Sequence, residues 1–185
     1  VGSRELPWPQ SLASVFDNDI HPTPALGRRA LRVGVVAGET SGDMLGSGLI
    51  TAIREQLPNS EFIGVAGPEM IKAGCEPLYR AEELSVMGFA EVLQHLPRLL
   101  WLRRNLLRRL QAARLDVFVG IDSPDFNLPL AGVLKKSGIP TVQYVSPQVW
   151  AWRQSRAAGI RKAVDLVLCL LPFETRFYES CGVNA

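Results

Sequence analysis

The chain is poor in the residues that mark disulfide-rich, metal-binding and membrane-spanning proteins. Its 185 residues include only three cysteines, and Cys75, Cys169 and Cys181 form no CxxC pair. This spacing argues against a disulfide framework or a zinc site and is typical of reducing compartments. The two histidines, His21 and His95, are isolated, so we expect no metal site. No apolar run approaches the ~20 residues that a spanning helix needs.

The composition and the two ends of the chain indicate how many domains to expect. Hydrophobic residues make up 47% and charged residues 21%, which excludes a disordered, collagen-like or coiled-coil chain. Residues 1–30 hold four prolines without sustained periodicity or signal-peptide features. We predict a disordered extension over 1–30 and one domain over 31–185. The final residues, a helix followed by glycine and valine, lead us to expect a further strand and a longer protein.

Short apolar runs alternate with helical patterns along the rest of the chain. The runs predicted as strands are 31–37, 61–66, 117–121, 141–145 and 166–170. Continuous apolar strands between helices predict an α/β fold with a Rossmann-like, doubly wound parallel sheet. Ligands of such sheets bind beyond the carboxyl ends of the strands. Segments 38–43, 122–127 and 146–153 each follow a strand, so we expect them to converge at one edge.

The first segment is a glycine loop that leads into a helix. Gly38 and Gly42 permit tight turns and close backbone approach, while the following helix offers free N–H groups to an anion. Glu39, Ser41 and Asp43 add polar side chains, so the segment is a candidate substrate site. The alternative is local: Ser41 as helix N-cap and Asp43 as a first-turn acid.

The second segment places two carboxylates and an amide at a strand end. Asp122 directly follows the apolar run and is too far from the next helix to cap it. We therefore predict that Asp122 accepts a proton from a substrate hydroxyl. Asp125 and Asn127 are candidate substrate contacts, although capping of a helix from about Phe126 is the favoured interpretation of Asp125.

The third segment combines aromatic and polar side chains. Ser146, Gln148 and Arg153 accompany Trp150 and Trp152, which flank a single alanine. Together they suit a substrate pocket with apolar walls and a few polar groups. Ordinary core packing of one tryptophan is the alternative.

The chain's positive charge is concentrated in residues 92–115, which hold six arginines and no acid. We predict a helix over about 89–114, with Pro97 at the start of its regular part. One arc of this helix carries Leu93, Leu96, Leu99, Leu100, Leu102, Leu106, Leu107 and Leu110. The opposite arc carries Trp101, Arg98, Arg104, Arg108 and Arg109.

A tryptophan among arginines fits a membrane-interface helix that faces anionic headgroups. Met87 and Phe89, just upstream, would add apolar contact. A solvated helix face is the equally weighted alternative. A nucleic-acid partner is the least favoured, because the rest of the chain is net acidic.

Six collinear segments between about residues 31 and 183 resemble lipid-A-disaccharide synthases. They are VAGETSGDMLGSGLI (36–50), GVAGPEMIKAGCE (64–76), ELSVMGFAEVL (83–93), VFVGIDSPDFN (117–127), YVSPQVWAWR (144–153) and LPFETRFY (171–178). The resemblance implies the N-terminal domain of a GT-B glycosyltransferase, in which Asp122 is the catalytic base. With this family's substrates, the glycine loop 38–43 is a candidate site for the phosphate of the acceptor or the donor, with Glu39 and Ser41 as polar contacts.

The family's reaction transfers 2,3-diacylglucosamine from UDP-2,3-diacylglucosamine to lipid X with inversion, without cofactor or metal. The resemblance implies a cytoplasmic enzyme, peripheral on the anionic inner membrane of Gram-negative bacteria, with no nucleic-acid partner. It leaves room for a homo-oligomer formed through a C-terminal half. We expect the UDP-sugar domain to lie outside this chain, so a catalytically inactive acceptor-binding or membrane-binding module is the alternative.

Overall fold

The computed structural model describes residues 30–85, 92–148 and 156–185, which form a parallel sheet covered by helices. The strands are β1 (Arg32–Ala37), β2 (Glu61–Ala66), β3 (Cys75–Arg80), β4 (Val117–Ile121), β5 (Thr141–Tyr144) and β6 (Leu166–Leu168). The helices are α1 (Thr40–Gln56), α2 (Pro68–Lys72), α3 (Glu82–Ser85), α4 (Val92–Ala112), α5 (Pro124–Lys136), α6 (Ala157–Ala163) and α7 (Pro172–Ser180). The six strands lie in the order β3-β2-β1-β4-β5-β6. The predicted Rossmann-like, doubly wound α/β fold is confirmed.

Two apolar layers hold the helices on opposite faces of the sheet. Ile50 of α1 and Met70 of α2 pack in one layer, whereas Leu106 of α4 and Leu130 of α5 pack in the other. Successive strand residues alternate between the layers, as the pleat requires. Burial of each such side chain contributes about 1.5–3 kcal/mol of stability. The two layers therefore hold the helices on the sheet and keep the strands in place.

Strand β3 is an element that the sequence pattern did not predict. Its residues CEPLYR include two charged side chains and a proline, and only Cys75 is fully buried. β3 lies at the edge of the sheet, where proline and charge are tolerated because one side of the strand needs no partner.

Three predicted helix starts differ from the structure. Helix α1 begins at Thr40, so Ser41 is not its N-cap; Glu39 holds that position without a side-chain hydrogen bond. Helix α5 begins at Pro124 rather than near Phe126, because proline fits the first helical position. Helix α4 contains Pro97 internally, which makes the predicted start at Pro97 wrong.

Helix α4 is amphipathic. Leu102, Leu106 and Leu110 are buried, and Trp101 on the other side is 62% exposed, as the helical wheel predicts. Leu100 was predicted on the apolar arc but is 45% exposed, because it lies at the margin of that arc. Met87 and Phe89 fall outside the described residues.

Candidate active site

The carboxyl ends of β1, β4 and β5 lie side by side. In the last rung of the sheet, Ala37 pairs with Ile121 and Ile121 pairs with Tyr144. The three predicted segments therefore start from neighbouring positions, as the expected convergence requires. Within the third segment, Trp150, Trp152 and Arg153 fall outside the described residues.

Left-handed backbone is concentrated at this edge. Asp122 (φ 51°), Ser123 (φ 39°) and Val145 (φ 72°) all have positive φ without being glycine. Each such conformation costs about 1–3 kcal/mol, and for a β-branched residue such as Val145 it is rare. Strain of this kind persists only where surrounding contacts impose it, and it is concentrated at functional sites.

Asp122 supplies a carboxylate at this edge of the sheet. Asp122 is half-buried, and within the described part of the chain its carboxylate has no hydrogen-bond or ion-pair partner. Its backbone N–H donates to the carbonyl oxygen of Tyr144 at 2.9 Å. A carboxylate that is anchored through its backbone and unpaired at its oxygens can accept a proton from a bound hydroxyl.

Asp125 has a different environment. It is the second residue of α5, and the N-cap position belongs to Ser123, so the predicted capping by Asp125 is wrong. Its side chain is 82% exposed and forms a 2.7 Å salt bridge with Arg156. An exposed pair of this kind contributes little stability, which leaves both groups available at the rim of the site.

Two buried amides surround the backbone of Asp122. Asn127 is fully buried, and its Nδ2 lies 2.9 Å from the carbonyl oxygen of Asp122 and 3.2 Å from that of Ile121. Gln143, which the sequence analysis did not single out, is also fully buried, with Nε2 2.9 Å from the same Asp122 oxygen. A glutamine inside the apolar strand β5 was the available signal for this residue.

The amino end of α1 borders the same edge. Gly38 is buried, and a Cβ atom there would lie 2.8 Å from Ser123 Oγ, so a larger residue would force the Ser123 hydroxyl to move. Glu39 and Ser41 are exposed. Because the N-cap residue Glu39 makes no side-chain hydrogen bond to α1, the first-turn N–H groups can receive an anion.

Asp43 faces away from this anion position. Its side chain is 2% exposed, and its oxygens accept hydrogen bonds from the backbone N–H groups of Gly67 (2.9 Å), Glu69 (2.9 Å) and Met70 (3.0 Å). Asp43 thus ties α1 to the amino end of α2. Gly42 is buried, and a Cβ atom there would meet Ala37 and Ile121 at ordinary contact distances.

The third segment begins against α7. Ser146 is buried, and the hydroxyl of Tyr178 donates to the carbonyl oxygen of Pro147. Burial raises the pKa of Tyr178 well above its usual range, so the hydroxyl remains a donor at all moderate pH values. Gln148 is exposed. The segment thus leaves the buried core and reaches solvent within three residues.

The described residues contain no group of three or more His, Cys, Asp or Glu side chains arranged to hold a metal ion. None of their helices is long and apolar enough to cross a membrane.

A doubly wound parallel sheet whose strand ends bring polar segments together at one edge defines a Rossmann-like α/β domain. A sequence model of the lipid-A-disaccharide synthetase family matches residues 33–185. The chain belongs to this family.

Curated lipid-A-disaccharide synthases are similar over most of the chain. The Serratia proteamaculans (strain 568) protein is 59% identical over 155 residues, which are 84% of this chain and 41% of that protein. The Yersinia pseudotuberculosis serotype I (strain IP32953) protein is 58% identical over 155 residues, 84% of this chain and 39% of its own length. The Escherichia coli O1:K1 / APEC protein is 57% identical over 156 residues, 84% and 41% respectively. The chain thus spans about two fifths of the length of these relatives.

Proposed function

We propose that this chain provides the acceptor side and the general base of a lipid-A-disaccharide synthase. The observation that carries the proposal is the Asp122 carboxylate, which has no hydrogen-bond or ion-pair partner among the described residues and lies at the edge where α1 begins. An inverting glycosyl transfer needs one base at the acceptor hydroxyl and one anion position for a phosphate, and this edge offers both.

In the proposed step, the 6-hydroxyl oxygen of lipid X attacks the anomeric carbon of UDP-2,3-diacylglucosamine. Asp122 takes the hydroxyl proton as the new carbon–oxygen bond forms. The bond between the anomeric carbon and the UDP oxygen breaks, and UDP leaves with that electron pair. The products are the β-1,6-linked disaccharide 1-phosphate and UDP, and the carboxyl of Asp122 then returns its proton to solvent.

The phosphate of a substrate would bind at the amino end of α1. The exposed side chains of Glu39 and Ser41 would orient its sugar, and the close approach of Gly38 to Ser123 brings this position near Asp122. Asp125, Arg156 and Gln148 are exposed near this edge and are proposed rim contacts. Since Asp43 and Asn127 are occupied by backbone hydrogen bonds, we propose that they support this site from within.

Lipid substrates also require access to a membrane. We propose that the protein is peripheral on the cytoplasmic face of the inner membrane and that the exposed side of α4 contacts it. Trp101 and Leu100 supply exposed apolar surface, while Arg104 and Arg108 supply charge for anionic headgroups. Arg109 lies on the same helix but supports the fold, since its guanidinium donates a hydrogen bond to the carbonyl oxygen of Leu78.

The base assignment is tested by Asp122→Asn in the protein as the cell makes it, with Asp116→Asn as a matched control. Asp116 precedes strand β4 and accepts a hydrogen bond from the Arg32 N–H at the opposite edge of the sheet. We expect Asp122→Asn to lower kcat by about 10²- to 10⁴-fold, and Asp116→Asn to affect stability but not kcat. Release of UDP in the presence of lipid X is the readout. Near-normal turnover of the Asp122 variant would eliminate this residue as the base.

A further inference from the structure

Two fully buried side-chain amides meet at one backbone oxygen. Asn127 from helix α5 and Gln143 from strand β5 each place an amide nitrogen 2.9 Å from the carbonyl oxygen of Asp122. This oxygen therefore has two amide donors, one from the helix that follows it and one from the neighbouring strand. Neither amide reaches the Asp122 carboxylate through any hydrogen bond.

These contacts hold the backbone from which the Asp122 side chain projects. The carbonyl that the amides hold belongs to the peptide after Asp122, and the N–H that donates to Tyr144 belongs to the peptide before it. With both flanking peptide planes held, the direction of the Cα–Cβ bond of Asp122 is set. The left-handed φ angles of Asp122 and Ser123 are the conformation that results.

Gln143 also joins the ends of the two strands. Its Nε2 lies 3.4 Å from the carbonyl oxygen of Tyr144 and 3.3 Å from that of Val145, where the chain is again left-handed. The Tyr144 oxygen is the same atom that accepts the Asp122 N–H. The Gln143 side chain thus links the turn after β4 to the turn after β5 through hydrogen bonds.

Packing alone does not account for this pair of amides. Asn127 Oδ1 and Gln143 Oε1 are buried and have no hydrogen-bond donor among the described residues. Burial of unsatisfied polar atoms is unfavourable, so apolar side chains would suit a purely structural core better. The donors, rather than the volume, are what these two positions contribute.

We propose that Gln143 and Asn127 are positioning residues that hold the Asp122 carboxylate toward the acceptor hydroxyl. This inference rests on the proposed function, in which Asp122 is the base. In this proposal Gln143 and Asn127 touch neither substrate, and they affect the reaction through the backbone of Asp122.

The test compares Gln143→Met with Thr141→Val in the protein as the cell makes it. Thr141 is fully buried on the same strand, and its hydroxyl lies 3.2 Å from the Ala163 carbonyl oxygen and 3.1 Å from Asp165 Oδ2, away from Asp122. Both variants lose buried hydrogen bonds, so both should lower Tm. Only Gln143→Met should lower kcat, by about 10- to 100-fold, with KM for lipid X changed less than about threefold. Its crystal structure should show Asp122 displaced from its left-handed φ.

Each result supports or overturns the proposal. If kcat and the φ of Asp122 are unchanged in Gln143→Met, or if Thr141→Val loses as much kcat, the positioning role is overturned. Should Gln143→Met fail to fold, Asn127→Leu removes the other donor and carries the same expectations. If Asp122→Asn itself remains active, the proposed base fails. The φ of Asp122 in the amide variants still reports whether they hold this backbone.

Discussion

Gly120 and Asn127 are packed so closely that any side chain at position 120 would displace Asn127. A Cβ atom built on Gly120 would lie 2.8 Å from Asn127 Cβ and 3.0 Å from Asn127 Cγ. It would also lie 3.2 Å from Gln143 Oε1. The absence of a side chain in strand β4 thus creates the space in which both amides approach the Asp122 carbonyl.

Gly120→Ala should therefore displace the buried amides of Asn127 and Gln143. We expect a loss of about 1–3 kcal/mol in unfolding free energy, because the added methyl group overpacks the buried amides. Turnover should fall as Asn127 is pushed from Asp122. Gly132→Ala is the matched control, since a Cβ there meets only Ala163 at 3.6–3.8 Å and alanine favours a helix. Chemical denaturation measures both variants, and equal stabilities would contradict the expected crowding.

Local pattern predicted the strands that are buried on both faces and the edge at which their ends meet. It could not predict β3, because an edge strand with Pro77 and Glu76 lacks the apolar run that marks buried strands. The exposed Trp101 followed from helical periodicity alone.

The roles of buried polar side chains depended on partners distant in sequence. The partners of the Asp43 carboxylate lie 24–27 residues further along the chain, so its first-turn position in α1 revealed only a local alternative. Gln143 contacts Asp122 across 21 residues. Such contacts arise from the order of strands in the sheet, which single-sequence periodicity does not encode.

The exposed face of α4 gives a prediction about membrane binding. Replacing Trp101 with Ala and both Arg104 and Arg108 with Ser should weaken binding to vesicles containing anionic phospholipid by about tenfold or more, since each arginine contributes about 1 kcal/mol. Arg109 is left intact, because its ring contact with Tyr79 and its bond to Leu78 support the fold. Vesicle co-sedimentation is the measurement.

Charge loss elsewhere is the control for this triple variant. Arg161 and Arg176 are exposed on α6 and α7, and their replacement by Ser removes the same two charges from another part of the surface. If this control loses as much vesicle binding, attraction depends on overall charge rather than on α4. If the triple variant binds as the parent does, α4 is not the membrane face.

Cys75 gives the protein a specific sensitivity to alkali. The thiol is 4% exposed at the start of β3, and burial raises its pKa from 9.0 to about 12. The fold therefore favours the protonated thiol. Its contribution to stability is complete below about pH 9 and is lost as the pH rises through about 12. Between about pH 8 and pH 10.5 this loss amounts to roughly 2 kcal/mol.

Cys75→Ala removes the titrating group at the cost of a small cavity. The variant should be less stable than the parent at pH 8 but should lose less stability on going to pH 10.5, so that the two pH profiles converge. Urea denaturation at a series of pH values measures this difference, and Cys75→Val repeats it with the volume restored. Parallel profiles for parent and variants would mean that the Cys75 thiol is not what couples folding to pH in this range.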